Sequence, residues 1–320
     1  MKMESMRTRG GFCFALPMLA SPEPAKTYEE QIKLLTSRGL AIKDEAEARH
    51  ALSHLNYYRL QLYAEPFVPD RNTKQFKKGS TFSQILDLYL FDQKLRNLVL
   101  AASKLIEVSV RSRLAYVLGH RIGATGYLNI LNYKRHAQAI ETLNVILMEI
   151  KRSKEPFLQR YIEDDMGINE LPIWIAVESI SFGSTSKIFG NLKDHQLQKE
   201  IAATYDLSDK VLIAGLHHLN TARNIAAHHA RFWNHHIQQK MRTPNQGSDD
   251  LRLSLEMTNS APGCYNTLVL ISYLIRKIAR TSELVGMMKE HLHSLPQELH
   301  PQAGIPPHWF NRPVWESQSV

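Results

Sequence analysis

Cysteine is nearly absent from this 320-residue chain, which has only Cys13 and Cys264. Two thiols exclude a disulfide framework and a cysteine-rich zinc site. They suit a reducing compartment, so a cytoplasmic location is expected. No apolar run reaches the roughly 18–20 residues of a membrane span, and no membrane partner is expected. HExxH is missing, and neither a carboxylate nor a cysteine stands at a recognisable ligand spacing from the histidines. Period-2 alternation is also scarce, which argues against a strand-rich fold.

What is there is positive charge and histidine. Lys and Arg number 39 against 31 Asp and Glu, a formal charge of +8 that suits a polyanionic partner. Of 15 histidines, six fall between His217 and His236. The first 26 residues mimic a secretory signal, with basic residues, an apolar patch at Phe12–Ala20 and small residues after it. The patch is short, contains Pro17 and follows acidic Glu4, so residues 1–26 read instead as a disordered extension or a misassigned start.

The remainder reads as helix after helix. Residues 28–38 form an amphipathic helix closed by Gly39, and Asp44 with Glu47 opens the next. Asn56–Phe67 is dense in aromatics and ends at Pro66, before a basic loop over 69–80. Thr81 with Gln84 starts a long helix whose apolar residues keep helical spacing to Leu118, with Gly119 and Gly123 as its end. Helices follow at 135–152 and 156–164, then a helix broken at Gly183, then helices at 195–205, 208–236 and 262–292. The last segment is rich in Pro and Trp.

The helix over 208–236 carries "RNIAAHHARFW". On a helical wheel, Gly215, Leu219, Ala222, Ala226 and Trp233 share one stripe, the expected core face. His217, Asn224 and His228 share the opposite face, and His229 lies toward the core edge. Three readings compete for this cluster. It is a solvated polar face; it is a metal site drawn from His217, His218, His228, His229, His235 and His236; or it is acid–base chemistry on a phosphodiester. The third uses His as proton carrier, Arg as a fork for phosphate and Asn to orient either.

Arg223-Asn224-x-x-x-His228 resembles the R-N-x-x-x-H motif of HEPN ribonucleases. With "NYYRLQLYAEPF", "FDQKLRNLVLAASKLIEVSVRSRLA" and "LPIWIAVESISFGSTSKIFGNL" in order before it, the chain is similar to the abortive-infection, Abi-D/F-like branch of that superfamily over about residues 27–236. The resemblance implies an all-α, HEPN-like helical bundle over 27–240, with 241–320 as a C-terminal helix and tail packing on the same domain. It implies a metal-independent endoribonuclease of phage defence, with Arg223, Asn224 and His228 catalytic and no cofactor. Only one complete motif is present, since "LRN" at Leu95–Asn97 has Ala101 where the His would stand. A homodimer sharing its cleft is therefore expected, with RNA as substrate and an RNA or protein antitoxin as a further partner. A non-catalytic RNA-binding or toxin–antitoxin module remains the alternative.

Supporting roles are expected for His229, Glu178 and Arg231, with Glu178 a candidate anchor for Arg223. Trp174, on the same face as Glu178, reads as core. Glu107 and Arg111 read as an i,i+4 structural pair. Tyr58 and Arg59 are candidates for RNA stacking, and Lys74, Lys77 and Lys78 for phosphate contacts.

Overall fold

The computed structural model describes residues 24–161, 170–244, 248–256, 263–279 and 282–316. The expectation for residues 1–26 falls almost wholly outside the described residues. Among the described residues there are fourteen α-helices and no sheet, only two isolated bridges, so the chain is all-α. None of these helices is long and apolar enough to cross a membrane. The chain divides into two compact units at Ile85/Leu86.

In the first unit, α1 (Tyr28–Ser37) starts on a Thr27/Glu30 capping box, and Gly39 follows it at φ +89°, where a side chain would be strained. The Asp44 carboxylate accepts from the N–H groups of Ala46 and Glu47 to open α2 (Glu45–His54), which packs on α1. The aromatic stretch is α3 (Tyr57–Ala64), followed by a 3-10 turn holding Pro66.

The capping pair Thr81/Gln84 starts α4 (Phe82–Ile122) through reciprocal bonds of 2.9 and 3.2 Å. Beyond Ile85, the α4 face made of Leu88, Leu95, Val99, Ala102, Ile106, Val110, Leu114 and Leu118 is buried. Gly119 does not end the helix; Gly123, at φ +85°, does. Then come α5 (His136–Arg152), α6 (Pro156–Tyr161), α7 (Ile173–Ala176), α8 (Phe182–Asn191), α9 (His195–Ala203) and α10 (Asp209–Ala227).

Other predicted boundaries move as well. The break before α8 comes at Ser181, whose hydroxyl accepts from the Ser184 N–H at 3.2 Å, and Gly183 lies inside the helix. The expected helix over 262–292 is two, α12 (Tyr265–Ile278) and α13 (Leu284–His293). Ser282 Oγ, accepting from the Leu284 N–H, restarts the chain there. Between α10 and α12 lies α11 (Asp249–Ser254), and α14 (His300–Ala303) follows α13.

Small residues set the position of α10. A Cβ on Gly183 would lie 3.4 Å from Asn220 Oδ1, and one on Gly190 would lie 3.4 Å from Ile213. These pairings run in opposite directions, so α8 and α10 are antiparallel, and the last turns of α10 pass beyond the start of α8. On its other side Gly215 admits Leu270 of α12 at a similar 3.3 Å. The C-terminal tail closes the unit with Trp309 and Trp315, both buried, against Tyr265 of α12.

Candidate functional site

Helix α10 buries Gly215, Leu219, Ala222 and Ala226, the stripe the wheel predicts. It does not continue to residue 236. It ends at Ala227, with His228 as C-cap. The His229 N–H bonds to Ala226 O at 3.2 Å and the Ala230 N–H to Ile225 O at 3.0 Å, the paired bonds of a Schellman turn. That turn needs one left-handed residue, and here it is His229, at φ +57°, where glycine usually stands. The wheel therefore misplaces His229. It is exposed beside His228, not half-buried at the core edge.

Arg223 and Asn224 are half-buried on the last turns of the helix, and Arg223 Nη1 donates to Asn224 Oδ1 at 3.3 Å. The Asn224 carbonyl in turn accepts the His228 N–H at 2.9 Å. One helix terminus thus holds a guanidinium, an amide and two open imidazoles, with half-buried Arg231 two residues further on.

The chain after the motif is pinned by a pair that sequence reasoning missed. Asp92 on α4 is fully buried and forms an ion pair with buried Arg96 one turn on. Its carboxylate also accepts the N–H of Phe232 at 3.1 Å and of Trp233 at 2.7 Å. Trp233 is buried as predicted, but this contact holds it there and not a helix. The signal was the Asp-x-x-x-Arg spacing in "FDQKLRN", read only as an echo of the motif.

His218 is a second clamp. It is buried, with Nδ1 2.6 Å from Gln239 O and Nε2 2.8 Å from Thr267 Oγ1. Burial pushes its pKa down, so it is a neutral core imidazole joining α10 to α12. Burial also lowers His235, helped by the charges of Arg231 and His236. Among the described residues, no group of three or more His, Cys, Asp or Glu is arranged to hold a metal ion.

Glu178 is exposed and lines a cavity with Trp174, which is itself half exposed and not core. Glu107 and Arg111 do pair, and Arg111 also donates to the Ile180 carbonyl just before α8. In the first unit, exposed Tyr58 and Lys74 line one cleft with Arg38, Tyr57 and Arg71. Arg59, Lys77 and Lys78 are not part of its lining.

A model of the family described as Abi-like protein matches residues 50–234, which contain α10 and its terminal motif. No curated protein matches the chain. No solved structure matches it either.

Proposed function

The chain belongs to the Abi-like protein family, which ties it to abortive infection, and on that premise we propose that it is a metal-independent endoribonuclease acting as a homodimer. One observation carries this reading. Arg223, Asn224 and His228 all sit at a single helix end, with His228 in the open. A phosphodiester can reach that end from solvent.

In the proposed reaction His228 takes the proton of an RNA 2′-OH as its oxygen attacks the adjacent phosphorus, or returns a proton to the departing 5′-oxygen. Arg223 meets the charge that builds on the phosphoryl oxygens, which its planar fork suits. Asn224, bonded to Arg223, holds the guanidinium in place. The bond that breaks is P–O5′, so the fragments carry 2′,3′-cyclic phosphate and 5′-OH ends. DNA has no 2′-OH and resists.

Since each chain has one complete motif, two copies facing one another supply the full set of groups. The alternative is an RNA-binding module that grips phosphate without cutting. The pairing of Tyr58 with Lys74 and Arg38 in one cleft favours an RNA-binding role for the first unit under either reading. The deciding experiment is incubation of the purified protein with total RNA and EDTA, followed by end-group analysis. Undiminished cleavage with cyclic phosphate ends is expected. Cleavage that EDTA abolishes removes the metal-independent mechanism.

A further inference from the structure

A second place in the larger unit has the chemistry of a binding site. A cavity of about 600 Å³ is lined by Ser112, Tyr116, Gly119 and His120 of α4 and by Trp174, Val177 and Glu178 from α7 and the turn after it. Its two large rings are open to solvent, with Trp174 50% and Tyr116 54% exposed. Neither ring is loose. Trp174 lies against the backbone of α4 at Gly119, where an added Cβ would come within 3.3 Å of its six-membered ring. This close approach explains a glycine inside a helix, where it ordinarily costs about 1 kcal/mol. Tyr116 is braced by His120, 4.2 Å away between ring centroids, and by the Arg113 guanidinium at 5.3 Å. Both rings are thus held in place before any ligand arrives. The exposed carboxylate of Glu178 belongs to the same cavity.

We infer that this cavity binds one unstacked nucleobase of single-stranded RNA, guanine by preference. Aromatic faces fixed at a surface are what splayed-out bases stack upon. The guanidinium at Tyr116 and the net charge of +8 suit the attached phosphates. Glu178 decides among the bases. A carboxylate accepts two hydrogen bonds side by side, and only guanine presents two adjacent donors, N1–H and N2–H, on its Watson–Crick edge. Adenine, cytosine and uracil each set an acceptor beside their donor, which a carboxylate repels. The choice of RNA over other strands rests on the ribonuclease reading; the stacking and the base preference do not.

The remaining tryptophans, Trp233, Trp309 and Trp315, are at most 2% exposed, so quenchable tryptophan emission reports Trp174. The test titrates the full chain with a short uridine oligoribonucleotide carrying one central guanine, 2′-O-methylated throughout so that binding is read without cleavage. The all-uridine strand is the control. Saturable quenching is expected, stronger for the guanine strand. By fluorescence anisotropy of an end-labelled strand, which needs no tryptophan reporter, Trp174→Ala should weaken binding on the order of tenfold, and Trp174→Phe should restore most of it. Glu178→Gln should keep the quenching and lose the guanine preference. Equal quenching by both strands overturns the base assignment. No quenching, with Trp174 emission that shifts on protein dilution alone, overturns the pocket: it would make this face, which continues along α4 to exposed Val108 and Leu105, a contact between two copies. If cleavage occurs without quenching, the pocket fails alone. If the methylated strand quenches but unmodified total RNA is not cleaved, the ribonuclease reading fails alone.

Discussion

His228 and His229 are adjacent and both exposed, yet they differ in backbone. His228 is the helix C-cap, and His229 is the left-handed residue of the turn. His228→Ala should abolish cleavage while leaving the thermal melt nearly unchanged, because an exposed cap side chain holds no core. A variant that keeps full activity removes His228 from the mechanism. At His229, which the wheel set toward the core edge, truncation should stabilise the chain. Glycine adopts positive φ without a Cβ penalty, so His229→Gly should raise unfolding free energy by about 0.5–1 kcal/mol in a urea titration. If the same variant loses cleavage, the imidazole serves the reaction and the turn keeps it at a cost in stability. Destabilisation would show that the His229 ring holds structure. The conformational difference was not legible in the sequence, because the turn lacks the glycine or asparagine that usually announces it.

Helix starts were legible where a cap is local. Asp44, and Thr81 with Gln84, each bond within three residues, and the sequence shows both partners together. The attachment of the post-motif segment to α4 was not legible, because Asp92 and Phe232 are 140 residues apart. Asp92 also shows why a buried charge matters here. Removing it would take the carboxylate away from the buried Arg96 guanidinium and from two backbone N–H groups. Asp92→Ala should therefore cost about 3–5 kcal/mol, and limited proteolysis should cut first near residues 228–235. Replacing Asp92 and Arg96 together by apolar residues should recover part of the loss. A single variant that melts like the parent would mean the pair contributes little.

For the whole molecule the proton balance has a definite sign. His218, His235 and His291 all have pKa values lowered by burial. Between those values and the ordinary value of about 6.5 the unfolded chain binds more protons than the folded one, so stability rises with pH. It is fully present above about pH 6.5 and is lost as pH falls through the folded-state values. Melting temperature should drop as pH falls below about 6.5, less steeply in His291→Gln; a flat profile would contradict this. The proposed shared cleft gives a second global prediction. Specific activity should fall faster than linearly on dilution, and a fully active monomer on a sizing column would refute the homodimer. All-helical architecture was legible throughout, because helical spacing is a local property. The two compact units were not, because the boundary falls inside an unbroken helical pattern at Ile85.

The packing of Trp315 has a consequence in time. Its indole N–H donates to Tyr265 of α12, the helix that packs on α10. Yet Trp315 is synthesised 87 residues after His228. At ~5–20 residues per second the ribosome exposes the motif several seconds before the residues that complete the surrounding core exist. Arg223 and His228 thus leave the tunnel on an unfinished scaffold. A chain halted before Trp309 carries every motif residue and its contacts with α4, α8 and α12, yet lacks the indoles that close over α12, so such a fragment should be less stable than the full chain.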